Sequence, residues 1–323
     1  VYTNFLGSNY DDRVIAMQTR IINAFKQLGV QFFTCVPYNV RPPKHGEHLA
    51  WAESNAVLYA NSVLGALSNK EGGLLALLAS LVGRTYKAGV HIFNNRRPSI
   101  HVRVNSVNNY IDLGILGSLI GELIGNSVPY ITGLKVRNQY ELKIFLAALG
   151  TTSNTPMAVI HGITPEYKEL VRGASFTESF NIDYELVNRR RKSLQNDVLS
   201  GRGLYLVGCP HLSFKELSYV LRSIYDAVTS SNVEINDKEL WITTYEGFIN
   251  DSLSDLISKL ARYNVKVISN ACAVVSRVER LNVNYVVTDS IKALNYINKL
   301  SGIPVIIAPL NELINLFVGG KFK

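Results

Sequence analysis

The most constraining feature of the sequence is a regular alternation in its last third. Five short β-rich apolar runs, at 204–207, 240–243, 265–269, 285–288 and 304–308, are separated by helix-like segments at 214–228, 252–263, 290–300 and 310–317. A strand that runs parallel to its neighbour must be returned by a crossover, usually a helix. The alternation therefore predicts a mainly parallel sheet covered by helices, an α/β fold. Such sheets place ligand sites beyond the carboxyl ends of their strands. Cys209 is expected just after the first run and Cys272 just after the third, positions from which two side chains can converge on one site. No G-x-G-x-x-G stands at these strand ends, so a Rossmann-type dinucleotide site has no fingerprint here.

The rest of the chain reads less regularly. Helices are predicted over 11–28, with Ile15, Ile22 and Phe25 among its apolar positions and Gly29 as its stop, and over 54–64, 74–82, 112–124 and 140–149. Strands are predicted over 31–36, 99–104 and 157–161. The helix over 112–124 and the residue after it carry Gly114, Gly117, Gly121 and Gly125, a spacing that permits close packing of another helix.

Composition limits the function classes. Hydrophobic residues are 47% and charged residues 18% of 323, as in a globular chain with a sizeable core. No apolar run reaches the roughly 18 residues of a membrane span, and no signal peptide is visible, so a cytoplasmic protein without a membrane partner is expected. The net charge is +8. Its basic clusters (Arg41 with Lys44, Arg96-Arg97, and Arg189-Arg190-Arg191-Lys192) are short, scattered and not interleaved with aromatic residues. The Arg189 cluster follows a helix-like stretch and reads as a solvated face, none of the clusters reads as a nucleic-acid platform, and the positive balance points instead to an acidic partner or an anionic small molecule.

The three cysteines, Cys35, Cys209 and Cys272, are too few and too widely spaced for a disulfide framework or a C-x-x-C zinc site. Each follows or ends a strand-like segment: Thr34-Cys35-Val36-Pro37-Tyr38, Gly208-Cys209-Pro210-His211 and Asn270-Ala271-Cys272-Ala273. Proline beside a cysteine fixes φ and stiffens the loop. The residues alone allow two readings: buried thiols acting as small hydrophobes, or thiolates holding iron. Three thiolates on a four-iron cube leave one iron open to act as a Lewis acid on a hydroxyl. On the helix over 54–64, Asn55, Tyr59 and Ser62 share a polar face without charge. Such a face hydrogen-bonds either a ligand or buried backbone.

At this point the chain resembles a known family. The run from Gly46 to Gly73, centred on Glu53-Ser54-Asn55-Ala56 and Ala60-Asn61-Ser62-Val63-Leu64-Gly65-Ala66, is similar to the signature of the aconitase X large subunit. The three cysteine contexts, Gly83-Arg84-Thr85, Gly162-Ile163-Thr164-Pro165-Glu166 and Thr288-Asp289-Ser290-Ile291-Lys292 match in family order. The resemblance implies an aconitase-like architecture of several α/β/α layered units. It divides the chain into a cluster- and substrate-binding region over 1–135, a middle α/β region over 136–202 and a C-terminal α/β unit with two cluster cysteines over 203–323. The implied activity is a hydro-lyase reaction with a separate small swivelling subunit that closes the site and supplies a serine. The family's activities are dehydration of 5-phosphomevalonate in an archaeal-type mevalonate pathway and of cis-3-hydroxy-L-proline. A non-catalytic iron–sulfur scaffold is the reading from another class. Leu67 stands where the family usually has Arg, Lys70 where Arg is common, and Asn270-Ala271 where Asp-Thr is usual. The family's N-terminal segment of several tens of residues is not in this sequence.

What the resemblance implies for the site is as follows. Cys35, Cys209 and Cys272 ligate an iron–sulfur cluster, [4Fe-4S] with one open iron; [2Fe-2S] or a single iron remain alternatives. Asn55, Asn61 and Ser62 contact substrate or cluster surroundings, and His211 supports the cluster through a hydrogen bond. His48 donates to the substrate or ends a loop; Glu53 is a general acid or a favourable first-turn charge. Ser290 and Lys292 open a helix and suit a phosphate or carboxylate, with Arg84 as a further anion contact. The main base is expected on the small subunit.

Overall fold

The first helix forms where its signals stand. The Asp11 carboxylate accepts the Arg13 amide at 2.8 Å, α1 (Asp12–Gln27) follows, and Gly29 at φ 86° turns the chain away. Ile15, Ile22 and Phe25 form its half-buried stripe. A computed structural model describes residues 11–105, 107, 109–194, 200–231, 235 and 237–320. They divide into two units, one of residues 35–193 and one of residues 1–34 with 194–323.

The unit over 35–193 contains, in chain order, α2 (Ser54–Ser62), α3 (Gly73–Val82), β1 (Ile100–Val104), α4 (Tyr110–Ile124), β2 (Pro129–Thr132), α5 (Gln139–Thr152), β3 (Val159–Ile160), α6 (Tyr167–Val171), β4 (Glu178–Ile182) and α7 (Tyr184–Ser193). Its sheet has the order β3-β2-β1-β4, all parallel. The sheet draws strands from both sides of residue 135. The glycines of α4 act as their spacing predicts: a Cβ at Gly117 would run into the Phe145 carbonyl, and one at Gly121 into Thr152 and the Leu149 carbonyl, so α4 and α5 pack backbone to backbone. Helix α3 is different. No residue of it is buried, and Leu74 and Val82 are 72% and 68% exposed.

The second unit continues with β5 (Gly203–Leu212), α8 (Phe214–Ser230), β6 (Lys238–Thr244), α9 (Asp251–Leu260), β7 (Val265–Ser269), β8 (Tyr285–Thr288), α10 (Ile291–Ser301), β9 (Val305–Ile307) and α11 (Leu310–Phe317). The strands form one parallel sheet of order β7-β6-β5-β8-β9. Side chains on β5 alternate between two cores, as the period of a strand requires. Tyr205 and Val207 pack with α8, α9 and α11, whereas Leu204 and Leu206 pack with α10 and the loop after β7. Helix α8 shows why these segments are helical: Leu217, Val220, Leu221, Ile224 and Val228 fall on one face, behind a capping box of Ser213 and Glu216.

Three expectations are corrected. Residues 31–36 join no sheet; Phe33 packs edge-on against Phe25 and Phe32 against Tyr245, so aromatic contacts replace a ladder. Cys209 does not follow its strand but lies within β5, where the pairing with β6 shifts register between Val207 and Leu212. The Arg189 cluster is not a purely solvated face: Arg190 and Arg191 of α7 pair with Glu122 and the buried Asp112 of α4. Arg96, of another basic cluster, is 1% exposed and pairs with Glu166. The strands β2 and β4 and the helix α6 had no counterpart in the sequence pattern.

Candidate functional site

The predicted site residues fall in both units. Cys35, His48, Glu53, Asn55, Asn61, Ser62 and Arg84 belong to the unit over 35–193, and Cys209, His211, Cys272, Ser290 and Lys292 to the other. None of the three thiols is in a disulfide, and each is half-buried. Among the described residues, no three His, Cys, Asp or Glu side chains come together as a metal site.

In the second unit, the two cysteine loops are built by backbone devices. Gly208 adopts φ 104° and lies so close to β6 that a Cβ would strike the Thr243 carbonyl; Thr243 donates its hydroxyl to the Gly208 carbonyl. Only glycine combines that φ with that approach. The Cys209–Pro210 peptide is cis. After β7, Asn270 takes φ 56°, a conformation Asn tolerates, and its side chain holds the Glu246 amide at 3.1 Å and the Glu246 carboxylate at 2.7 Å. Ser276 donates to the Cys272 carbonyl at 2.7 Å. His211, 4% exposed, ties these parts together. Its Nε2 lies 2.8 Å from the Ala271 carbonyl, which only accepts, so Nε2 carries the proton. In the neutral ring Nδ1 then accepts from the Thr34 hydroxyl at 3.1 Å. One histidine thus holds the residues that immediately precede Cys35 and Cys272. Cys209 and Cys272 both border the apolar cluster of Leu204, Leu206 and Trp241. A cleft of about 420 Å³ between α1 and the Asn270 turn is lined by Ile22, Phe25, Phe33 and Tyr245.

At the start of α10, the Ser290 hydroxyl accepts the Ala293 amide at 3.1 Å, an ordinary N-cap. Lys292 is 9% exposed, with Nζ 6.0 Å from the centre of the Tyr296 ring.

In the unit over 35–193, α2 is buried on both its faces from Asn55 to Ser62. Its polar side chains meet backbone. Asn55 donates to the Cys35 carbonyl at 2.7 Å and accepts from the Tyr38 hydroxyl at 2.9 Å, and Tyr38 stacks on Tyr59. The Asn61 amide donates to the Ser68 and Pro156 carbonyls at 2.7 and 2.8 Å and accepts the Ser68 amide at 2.9 Å. The Ser62 hydroxyl accepts the Ala158 amide at 2.9 Å. Of the two outcomes open to an uncharged polar face, hydrogen bonding to buried backbone is what these contacts display. Glu53 occupies the N-cap position of α2, without a side-chain capping bond. Lys70 donates to the Gly150 and Ser153 carbonyls at the end of α5, where a cation suits the helix dipole. Arg96 donates to Glu166 and to the Ala66 and Asn61 carbonyls.

A cleft of about 600 Å³ opens beside α3, and here the structure brings two predicted residues, His48 and Arg84, together. His48 and His91 stack, with their Nδ1 atoms 2.8 Å apart, so exactly one of the two carries the shared proton when both rings are neutral. Burial, helped by His48 and Arg96 and opposed by Glu71, holds the pKa of His91 below the ordinary histidine value. Three buried polar atoms here have no partner: His91 Nε2, Thr85 Oγ1 and Glu71 Oε1. Tyr86 donates to the other Glu71 oxygen at 3.2 Å. Arg41, Arg84 and Lys87 also line the cleft, Arg41 already paired with Glu47 at 3.2 Å. Sequence reasoning missed His91, Thr85 and Glu71. Thr85 and His91 lie in irregular chain and short 3-10 turns, and Glu71 just ahead of α3, none of them on a periodic face. Only the match of Gly83-Arg84-Thr85 to a family motif pointed at Thr85.

Comparison with known proteins finds three consecutive domains of one family: the aconitase X first domain at residues 4–94, the second at 98–192 and the third at 203–319. The phosphomevalonate dehydratase large subunit of Thermococcus kodakarensis is 34% identical over 83% of this chain and 69% of its own length. That of Methanosarcina mazei is 32% identical over 94% and 74%. A cis-3-hydroxy-L-proline dehydratase of Pseudomonas aeruginosa is 34% identical over 61% of this chain and 36% of its own length. A crystal structure of Thermococcus kodakaraensis aconitase X, in its holo form, superposes with a TM-score of 0.84 at 31% identity, covering 94% of this chain and 78% of that one.

Proposed function

Because this chain belongs to the aconitase X family, we propose that it is the large subunit of a hydro-lyase that dehydrates (R)-5-phosphomevalonate to trans-anhydromevalonate 5-phosphate in an archaeal-type mevalonate pathway. The observation that carries this reading is the extent of likeness. Relatives named phosphomevalonate dehydratase large subunit align over 83–94% of this chain. Those named cis-3-hydroxy-L-proline dehydratase align over 61% and 78%, and over less than half of their own length. The relatives' designation as large subunits supports a small-subunit partner, and a cytoplasmic location accords with three thiols outside any disulfide. No described helix is long and apolar enough to cross a membrane.

The reaction removes a hydroxyl and a proton from adjacent carbons, releases water and leaves a double bond. The cofactor in this reading is an iron–sulfur cluster held by Cys35, Cys209 and Cys272. Donor chemistry supports the fit: the thiols are half-buried, and two of them border an apolar cluster of the kind that shields such centres from solvent. Each unit carries only part of the set, so the ligand set rests on that chemistry. When bound, the cluster would supply a Lewis acid at an iron not held by cysteine. The chain's own residues do the positioning. His211 orders the loops before Cys35 and Cys272, and Asn55 fixes the Cys35 carbonyl.

The test is turnover of 5-phosphomevalonate and of cis-3-hydroxy-L-proline by the chain combined with a small subunit, with iron and sulfide analysis of wild type and Cys209→Ser. Dehydration of the first compound, with iron lost in the variant, is expected. Intact metal content with no dehydration of either compound would reduce the chain to a scaffold.

A further inference from the structure

The cleft beside α3 contains groups that the fold does not use. A buried polar atom without a partner costs about 1–3 kcal/mol, and three lie in or behind this cleft. His91 is 8% and Glu71 6% exposed, so solvent does not fully compensate them. The side chains of Arg84 and Lys87 on the same cleft form no ion pair among the described residues. The shared Nδ1 contact with His48 leaves His91 Nε2 as the ring atom available to a ligand, and a neutral imidazole there bonds a hydroxyl as donor or acceptor. Thr85 Oγ1 can do the same.

We propose that this cleft binds a hydroxylated phosphate monoester, with the phosphate on Arg84 and Lys87 and a hydroxyl on His91 Nε2 and Thr85 Oγ1. The inference deepens the proposed function, in that it rests on a phosphorylated hydroxy acid being the substrate and states which residues receive its two ends. Arg84 supplies a planar fork suited to phosphate oxygens, and Lys87 a point charge. Glu71 lies behind Tyr86, which it accepts from, and its unpartnered oxygen suits a donor entering with the ligand, a water or the ligand's hydroxyl. The pairing of Arg41 with Glu47 leaves two cations, not three, for the anion.

The test uses the whole chain, with inorganic phosphate and 3-phosphoglycerate as probes, followed by calorimetry and by nitrogen chemical shifts of the histidine rings. Arg84→Gln combined with Lys87→Gln is expected to weaken both probes about tenfold or more, since charge-assisted hydrogen bonds are lost. Thr85→Val is expected to weaken 3-phosphoglycerate several-fold and leave inorganic phosphate unmoved. The hydroxylated probe should also shift the His91 Nε2 resonance. Equal affinity of the double variant and wild type, or an unmoved His91 resonance at saturation, would overturn the inference. In the complex with a small subunit, the double variant should raise KM for 5-phosphomevalonate far more than it lowers kcat. Turnover with an unmoved KM sinks the cleft and spares the reaction; Arg84-dependent phosphate binding without turnover does the reverse.

Discussion

The buried polar groups around α2 and those of the cleft beside α3 stand in opposite states. Around α2, Asn61, Ser62, Thr164 and Arg96 are almost wholly buried, and each bonds backbone atoms that would otherwise be orphaned. In the cleft, His91, Thr85 and Glu71 present atoms with no partner at all. The two regions lie in one unit, and each includes a threonine hydroxyl, Thr164 in one and Thr85 in the other. What separates them is whether folding alone completes the hydrogen bonds. The network around α2 holds the structure in place, with Glu166 Oε2 beside Arg96 as its one open acceptor among the described residues; the three open groups of the cleft are those the proposed ligand satisfies.

The contrast can be broken by substitution. Arg96→Met should have the largest effect, about 3–5 kcal/mol of lost stability by denaturant unfolding, because it takes the buried cation from the largely buried Glu166 and strands the Ala66 and Asn61 carbonyls. Asn61→Ala follows, at about 3 kcal/mol, since it strands the Ser68 amide and the Ser68 and Pro156 carbonyls. A matched pair sharpens the comparison. Thr164→Val removes a hydroxyl that donates to the Ser62 carbonyl and accepts the Ile160 amide, and should cost about 1–3 kcal/mol. Thr85→Val removes a hydroxyl with no partner, and should be neutral or stabilising by about 1 kcal/mol. If the two valine variants lose equal stability, the distinction between the regions fails.

The smallest effect is in pH. The His91 pKa lies below its unfolded value of about 6.5. The unfolded chain therefore binds more protons in the interval between the two values, and stability falls as pH drops from about 6.5 toward the folded pKa. Above that interval the group has no effect. His91→Asn should flatten this part of the stability profile, measured by unfolding at successive pH values; an unchanged slope would remove His91 as its source.

These differences were unequally legible in the sequence. Strands 265–269 and 285–288 and the helix at 310–317 match their structural bounds, because each is a continuous apolar or periodic run between strong boundaries such as Asn264, Asn284 and Pro309. The strand β4, Glu-Ser-Phe-Asn-Ile, is mostly exposed and carries too little apolar pattern to be seen. Residues 31–36 have a strand's composition, but composition does not supply a ladder partner. The polar face of α2 was readable as a face, while its partners, Pro156 and Ala158, lie almost a hundred residues away. The His48–His91 contact is equally non-local and rests on irregular backbone.

The unit that holds β5 is discontinuous: it combines residues 1–34 with residues 194–323. During synthesis, α1 leaves the ribosome long before any strand of the sheet it belongs with. Residues 35–193 are a continuous stretch and can condense first. The second sheet cannot close until β8 and β9 emerge, because β5 pairs with β8, over seventy residues later. Assembly of that unit is therefore a late event dominated by distant pairings, the slow class of folding reaction. Any fragment that ends before residue 285 leaves α1 with no completed sheet to join.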